Sequence, residues 1–322
     1  MELDHSAVKA LKAMYENKIG DRLKAIESTI ERQVLPSQAF VIRLDGVAFH
    51  TFLKGVKKPF DHRITDAMVK TTADLVEKFR PSTGYTSSDE ISLIFPAQTG
   101  DLSISKSHPL KKQKKESNNV NDKVHAYNGR IQKLASVTSG YASARFNYHL
   151  NHPMDQWDDN PTLKSKMLNG NGYFDSRVII VESLQLIMEC VYWRSNFDAF
   201  RNAISQISMS NFSHKQLHGK SVVQQLNDLN DIGINVLDTF HPRYLFGSWV
   251  KRDIHMIDAI DFKTKQPVQA LRSRQVCGSF NWSDWSEQDR IDFLLSAYWN
   301  DGSDQNNSPP IDVEYTSTLF VN

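Results

Sequence analysis

Phe40-Val41-Ile42-Arg43-Leu44-Asp45-Gly46 is an apolar, β-rich stretch that ends on a carboxylate and a glycine. Further along, Tyr85-Thr86-Ser87-Ser88-Asp89-Glu90 runs straight into Ile91-Ser92-Leu93-Ile94-Phe95, a second apolar segment led by two acids. Neighbouring strands lie about 4.8 Å apart, so carboxylates at matching heights can share metal ions about 3.5–4 Å from one another. Two magnesium ions so placed are what phosphoryl transfer requires. Magnesium keeps water and phosphate oxygens in its shell, and two or three carboxylates suffice to hold it. Asp45 suits one ligand, and Gly46 lets the backbone come close to a phosphate. Asp89 suits the other. Side chains alternate along a strand, which sends Asp89 and Glu90 to opposite faces unless a bulge or strand end intervenes, and makes Glu90 a helper. Either motif alone is better read as a plain turn or a strand-leading loop; only the two together, on strands of this type, bring the metal reading level with it.

Val8, Leu11, Met14, Tyr15, Ile19, Leu23, Ile26 and Ile30 recur at spacings of three and four, which predicts one amphipathic helix ending before Pro36. Asp61 can cap a helix carrying Ile64, Met68, Thr72, Leu75 and Phe79, stopped by Pro81. Thr86 to Phe95 is expected to form one strand, closed by Pro96. Helical periodicity returns from Gly129 to Leu150, Phe174 to Val181 reads as a third strand, and Leu184 to Ile207 as a long apolar helix. Short strands are expected around Tyr244-Leu245-Phe246 and Ser248-Trp249-Val250, with a last helix from Asp289 to Trp299. This order points to an α+β fold, with helices packed on a largely antiparallel sheet in the manner of a ferredoxin-like palm. A catalytic domain over 1–235 and a C-terminal extension over 236–322 are the expected divisions. Residues 100–127, rich in Ser, Asn and Lys, read as a mobile insertion whose Lys111-Lys112-Gln113-Lys114-Lys115 run suits a solvated loop or an RNA grip.

With 322 residues, 40% hydrophobic and 23% charged, the chain can bury a sizeable globular core. A net charge of +1 neither demands nor excludes a nucleic-acid partner. Cys190 and Cys277 lack metal-ligand spacing, which argues against a zinc or disulfide framework and fits a reducing compartment. No apolar run approaches a membrane span, and no membrane partner is expected. The N-terminus lacks an apolar signal core, and Glu2, Asp4, Glu16 and Asp21 are interleaved with lysines, unlike a transit peptide. The cytoplasm is the expected compartment, a mitochondrial address the alternative.

The words themselves carry a resemblance. Arg43-Leu-Asp-Gly-Val-Ala-Phe-His50, Lys58-Pro-Phe-Asp61-His-Arg63 and Gly84-Tyr-Thr-Ser-Ser-Asp-Glu-Ile resemble the tRNA-histidine guanylyltransferase superfamily. Gly20-Asp-Arg-Leu-Lys24, Phe174-Asp-Ser-Arg-Val, Tyr192-Trp-Arg194 and Phe212-Ser-His-Lys-Gln-Leu-His-Gly-Lys-Ser221 extend it in the same order. The likeness is to the branch of template-dependent 3′-to-5′ polymerases that rebuild truncated tRNA 5′ ends. Histidine-tRNA enzymes carry His-Ile-Asn-Asn where this chain reads Phe200-Arg201-Asn202-Ala203.

The resemblance implies a polymerase-like palm in a homotetramer, with ATP, GTP or other nucleoside triphosphates and tRNA as substrates. It implies two magnesium ions on Asp45, the Gly46 carbonyl and Asp89, with Glu90 beside them in the catalytic set. Gly46, Val47, Ala48, Phe49, His50, Lys58, Asp61 and Ser88 match residues around an incoming nucleotide. Arg130 and Lys133 match residues holding a second triphosphate, and helical period would put that pair on one face. His214, Lys215 and Lys220 are the implied RNA contacts. The alternatives are guanylate addition to histidine tRNA and a catalytically silent tRNA-binding protein. Trp193 and Trp249 read as packing residues.

Overall fold

The computed structural model describes residues 5–100, 124–153, 155–299 and 313–315; the Lys111–Lys115 run falls outside them. Two helices, α1 (His5–Glu16) and α2 (Ile19–Ser28), precede β1 (Ala39–Gly46). The single helix expected there breaks at Lys18, whose left-handed backbone (φ 49°) turns the chain. Next come α3 (Phe49–Phe52), α4 (His62–Phe79), β2 (Thr83–Ser87), β3 (Glu90–Phe95), α5 (Ile131–Leu150), α6 (Pro161–Leu168) and β4 (Phe174–Val181). A helical run follows: α7 (Leu184–Tyr192), a π-helical turn over Trp193–Asp198, and α8 (Ala199–Asn211). Beyond it lie α9 (His214–Leu217), α10 (Val222–Asp231), α11 (Val236–Thr239) and α12 (Pro242–Leu245). The described chain closes with β5 (Ser248–Ile260), β6 (Pro267–Gly278), α13 (Glu287–Leu295) and β7 (Val313–Tyr315).

All strand pairs are antiparallel, in the order β4-β1-β3-β2-β5-β6-β7. The first four strands with α4 and α5 form the β-α-β-β-α-β unit of a ferredoxin-like palm, in which β1 is central. The stretch expected as one strand from Thr86 to Phe95 is in fact a hairpin. Ser87 pairs with Glu90, and Ser88 adopts φ 54°, so Ser88-Asp89 is a two-residue turn. The polar run from Thr86 to Glu90 hides the turn, because its outer residues pair in the two strands and only Ser88 and Asp89 reverse the chain.

The C-terminal part also differs from expectation. Tyr244 and Leu245 are helical, since Pro242 occupies the first turn and the His241 ring accepts a hydrogen bond from the Arg243 N–H at 3.2 Å. From Ser248 onward the chain prolongs the palm's own sheet: Gly84 pairs with Val250 and Thr86 with Ser248.

Alternation along β1 splits the core in two. Phe40, Ile42 and Leu44 face α4 and α5, packing with Met68, Leu75 and Phe146. Ala39 and Val41 face the other way, toward α7, α13 and the Trp249–Trp282 cluster. A third, smaller core joins α8, α10, α11 and α12 beside the sheet.

Lys251 locks α13 against this second face. Its ammonium is buried, donating to Thr83 Oγ1 (2.8 Å), to the Ser296 carbonyl (2.6 Å) and to the Phe293 carbonyl. Burial, with Arg252 nearby, pushes its pKa well below the usual 10.5. The unfolded chain therefore holds this proton more tightly than the folded one, and folding gains stability as pH rises toward 10.5. Lys251→Met orphans the carbonyls and is expected to cost about 1–3 kcal/mol. Chemical denaturation should show that loss, together with a flatter stability profile on the alkaline side.

Candidate active site

Asp45 ends β1 between two partners. It pairs with Glu90 on β3 and with Asp175 on β4, so all three carboxylates leave the sheet on one face. Asp89 occupies the hairpin turn next to them. The Gly46 N–H donates to the Asp89 carbonyl at 3.0 Å, which clamps the end of β1 to that turn. Gly46 has no room for a side chain: a Cβ would come within 2.5 Å of the Phe49 ring. Phe49 is buried against Phe146 and Phe174, which holds the loop after Gly46 down on the palm.

A strand end does intervene between Asp89 and Glu90: Asp89 belongs to the turn and Glu90 opens β3, so alternation does not separate them. Burial pushes the Asp89 carboxyl above the usual range; the Asp45 charge adds to this, while the Ser88 hydroxyl and His50 oppose it. Glu90 is likewise raised, chiefly by burial and further by Asp45, against the pull of Arg194. Arg194 was singled out in the sequence without a role. Its Nη1 donates to Glu90 Oε1 (3.0 Å) and to Asp198 Oδ2 (2.8 Å), so the π-helical turn delivers a cation to the acidic end. Its trace in the sequence was the Tyr192-Trp-Arg194 word.

A cleft opens beside the hairpin turn on the α4 side of the sheet. Lys58, Asp61, Ser87 and Ser88 line it, together with Asn202 and Gln206 of α8 and Arg243 and Tyr244 of α12. Phe60 stacks on Tyr244 within it, ring centroids 4.7 Å apart. Asp61 caps α4 and is fully engaged: Oδ1 accepts from the Arg63 N–H and Nε, Oδ2 from the Lys57 N–H and Arg63 Nη2. Burial alone would raise its carboxyl, but Arg63 and the Lys57 N–H hold it below the usual range. Lys58, Ala48 and His50 are exposed, and Val47 is tied through its N–H to the Tyr173 carbonyl at 2.9 Å.

Other expected residues lie elsewhere. Arg130 precedes α5 in extended conformation and Lys133 sits in its first turn. Arg130 bridges Gln33, just before β1 begins. The helix after an antiparallel strand runs back along the sheet, which leaves both cations at the end of β1 opposite to Asp45, about 20 Å away by strand length. His214 and Lys215 are exposed on α9, whereas Lys220 is bonded to Asp228. Trp249 is fully buried as expected; Trp193 is not.

Among the described residues, no three His, Cys, Asp or Glu side chains form a complete metal cage. Asp45 and Asp89, on either side of the Gly46 clamp, nonetheless supply hard oxygens close enough for the Asp45 charge to add to the burial that raises Asp89. That donor set fits magnesium shared with a substrate's phosphates.

Among known proteins, a family model described as tRNAHis guanylyltransferase (Thg1) matches residues 20–182. An uncharacterized protein, R259, of Acanthamoeba polyphaga mimivirus is 33% identical over 223 residues, 66% of this chain and 71% of that protein. Two solved structures share the fold. A bacterial tRNA(His) guanylyltransferase (Thg1)-like protein in complex with ATP superposes with a TM-score of 0.57 at 23% identity, covering 79% of this chain and 91% of the other. Such a protein in complex with GTP gives 0.50 at 21%, covering 79% and 90%.

Because the folded protein raises Asp89 above its unfolded value, ionisation of this side chain opposes folding at neutral pH, and acid relieves it. In chelator, Asp89→Asn is therefore expected to melt higher than the wild type at pH 7. The gain should shrink as pH falls through the carboxylate range, which calorimetry across that range would show.

Proposed function

Since the chain belongs to the tRNAHis guanylyltransferase family, nucleotidyltransferases that act on tRNA with nucleoside triphosphates, we propose that it adds templated nucleotides in the 3′-to-5′ direction and repairs truncated tRNA 5′ ends. The observation that carries the chemistry is the clamp between Gly46 and Asp89, which gathers Asp45, Asp89 and Glu90 at one corner of the palm. Magnesium bound there would lower the pKa of an attacking hydroxyl and offset phosphate charge.

The chain's own residues do the rest. Asp45, Asp89 and the Gly46 carbonyl would hold the metal. Arg194 fixes Glu90 so that its carboxylate stays at the site. The cleft beside Ser88 takes the incoming nucleotide, with the exposed Lys58 ammonium at its rim for the phosphates. In the first step the tRNA 5′-monophosphate attacks the α-phosphate of ATP and pyrophosphate leaves. In the second the 3′-hydroxyl of the incoming nucleotide attacks the adenylylated 5′-phosphate and AMP leaves. A 5′-triphosphorylated RNA skips the first step.

The substrate choice is supported by the positions where histidine-tRNA enzymes carry His-Ile-Asn-Asn. Phe200 is spent on packing, stacked on Phe246 at 5.4 Å, and Arg201 is paired with Asp198. Homotetramer formation is supported by the exposed apolar residues of α1 and α2, such as Leu11, Tyr15, Ile26 and the following Ile30. A second copy is also the route by which Arg130 and Lys133, remote from their own Asp45, would reach a reacting triphosphate.

Asp45→Ala and Asp89→Ala should each lower magnesium-dependent addition to a truncated tRNA by roughly 10³-fold. Full activity in both would sink the metal assignment. A 5′-extension assay on truncated tRNAs and on full-length histidine tRNA, with each triphosphate in turn, should favour the truncated set and any templated base. Addition of guanylate alone, to histidine tRNA alone, would replace the repair reading.

A further inference from the structure

Trp193 and Phe197 stand on the π-helical turn with ring centroids 4.3 Å apart and planes 26° from parallel. They remain 52% and 51% exposed, although packing absorbs the other five tryptophans wholly or in part. Trp193 walls a groove on the α7 side of the sheet, floored by Val41, Arg43 and Ile179 and rimmed by Arg194. The acidic end continues this floor: Asp45 lies two residues beyond Arg43 on the same face of β1, about 7 Å along the strand.

The groove carries Glu189 on its α7 wall, and its floor carries cations. Arg43 pairs directly across from Arg177 on β4, and like charges so placed repel. Among the described residues, Arg43 Nε is buried with no hydrogen-bond partner. The acid at Arg177 is Asp175, at a long 3.4 Å and half exposed. Arg43 in the groove, Arg177 beside it on the same face of the sheet and Trp193 on the wall combine an anion seat with an apolar platform. Nucleotides carry both complements.

We propose that this groove is a nucleotide subsite, where a base stacks on Trp193 and its phosphate sits at Arg43 and Arg177. It is separate from the cleft beside Ser88, which opens on the α4 side of the same sheet. The two would bring reacting partners to Asp45 and Asp89 from opposite faces. The inference rests on the reading of the chain as a nucleotidyltransferase for RNA. The occupant's source is either the RNA's terminal nucleotide or a free triphosphate.

Trp193→Phe and Trp193→Ala in the full chain test this, with a 5′-truncated tRNA in one arm and ATP or GTP in another. Tryptophan fluorescence, filter binding and 5′-extension are read on the same preparations. In the wild type the occupant should quench emission, and the quench should vanish in Trp193→Phe while affinity persists. Trp193→Ala should bind roughly tenfold more weakly, with an unchanged melting temperature. Quenching in the tRNA arm alone names the RNA nucleotide; quenching by ATP or GTP names the free triphosphate.

Wild-type affinity in Trp193→Ala, or a quench that survives in Trp193→Phe, would overturn the subsite. So would a change of oligomeric mass in Trp193→Ala, which would make the platform a subunit contact. An extension-active wild type with either result loses the subsite alone. A quenched but inactive wild type keeps the subsite and loses the proposed reaction, and a wild type neither quenched nor active loses both.

Discussion

One backbone hydrogen bond holds the acidic corner together. The Gly46 N–H reaches the Asp89 carbonyl at 3.0 Å, joining the last residue of the central strand to the turn of the neighbouring hairpin. Carboxylates repel one another and resist burial, so nothing in Asp45, Asp89 and Glu90 themselves favours their meeting. The palm forces it. Phe49, wedged where a Cβ on Gly46 would stand, and the fully paired β1 register leave the chain no other exit.

That enforced crowding is a stability cost placed where chemistry needs it, as is common at sites evolved to bind cations. Arg194 relieves part of it from the side. It arrives on a π-helical turn, a wider winding that often marks functional sites, and the same turn displays Trp193 and Phe197. Chemistry and recognition thus share one irregular segment of an otherwise regular helix.

The C-terminal residues are structural partners of the palm. β5 pairs with β2, and Lys251 ties α13 to Thr83 at the start of the same hairpin strand. Arg243 and Tyr244 reach the cleft from α12, so the wall opposite Lys58 comes from chain far beyond the first catalytic strand. The small third core explains how α8 and α12 keep that wall in place.

Local signals carried the strands around Asp45 and after Glu90, the Asp61 cap and the helix it starts, because propensity, alternation and capping act over a few residues. The order of motifs was equally legible, and with it the family. Hidden from that view was where the Ser88-Asp89 turn falls, since Thr86 to Glu90 is polar throughout and only the pairing of Ser87 with Glu90 picks out the two residues that reverse the chain. Arg130 and Lys133 match a triphosphate-holding pair in sequence, and only the sheet's antiparallel path shows that they lie at the end away from Asp45. Trp193 resembled every other tryptophan in composition; only packing decided that it should stay in water. Residue type sets which chemistry is possible, and the pairing of strands distant in sequence decides which residues meet to perform it.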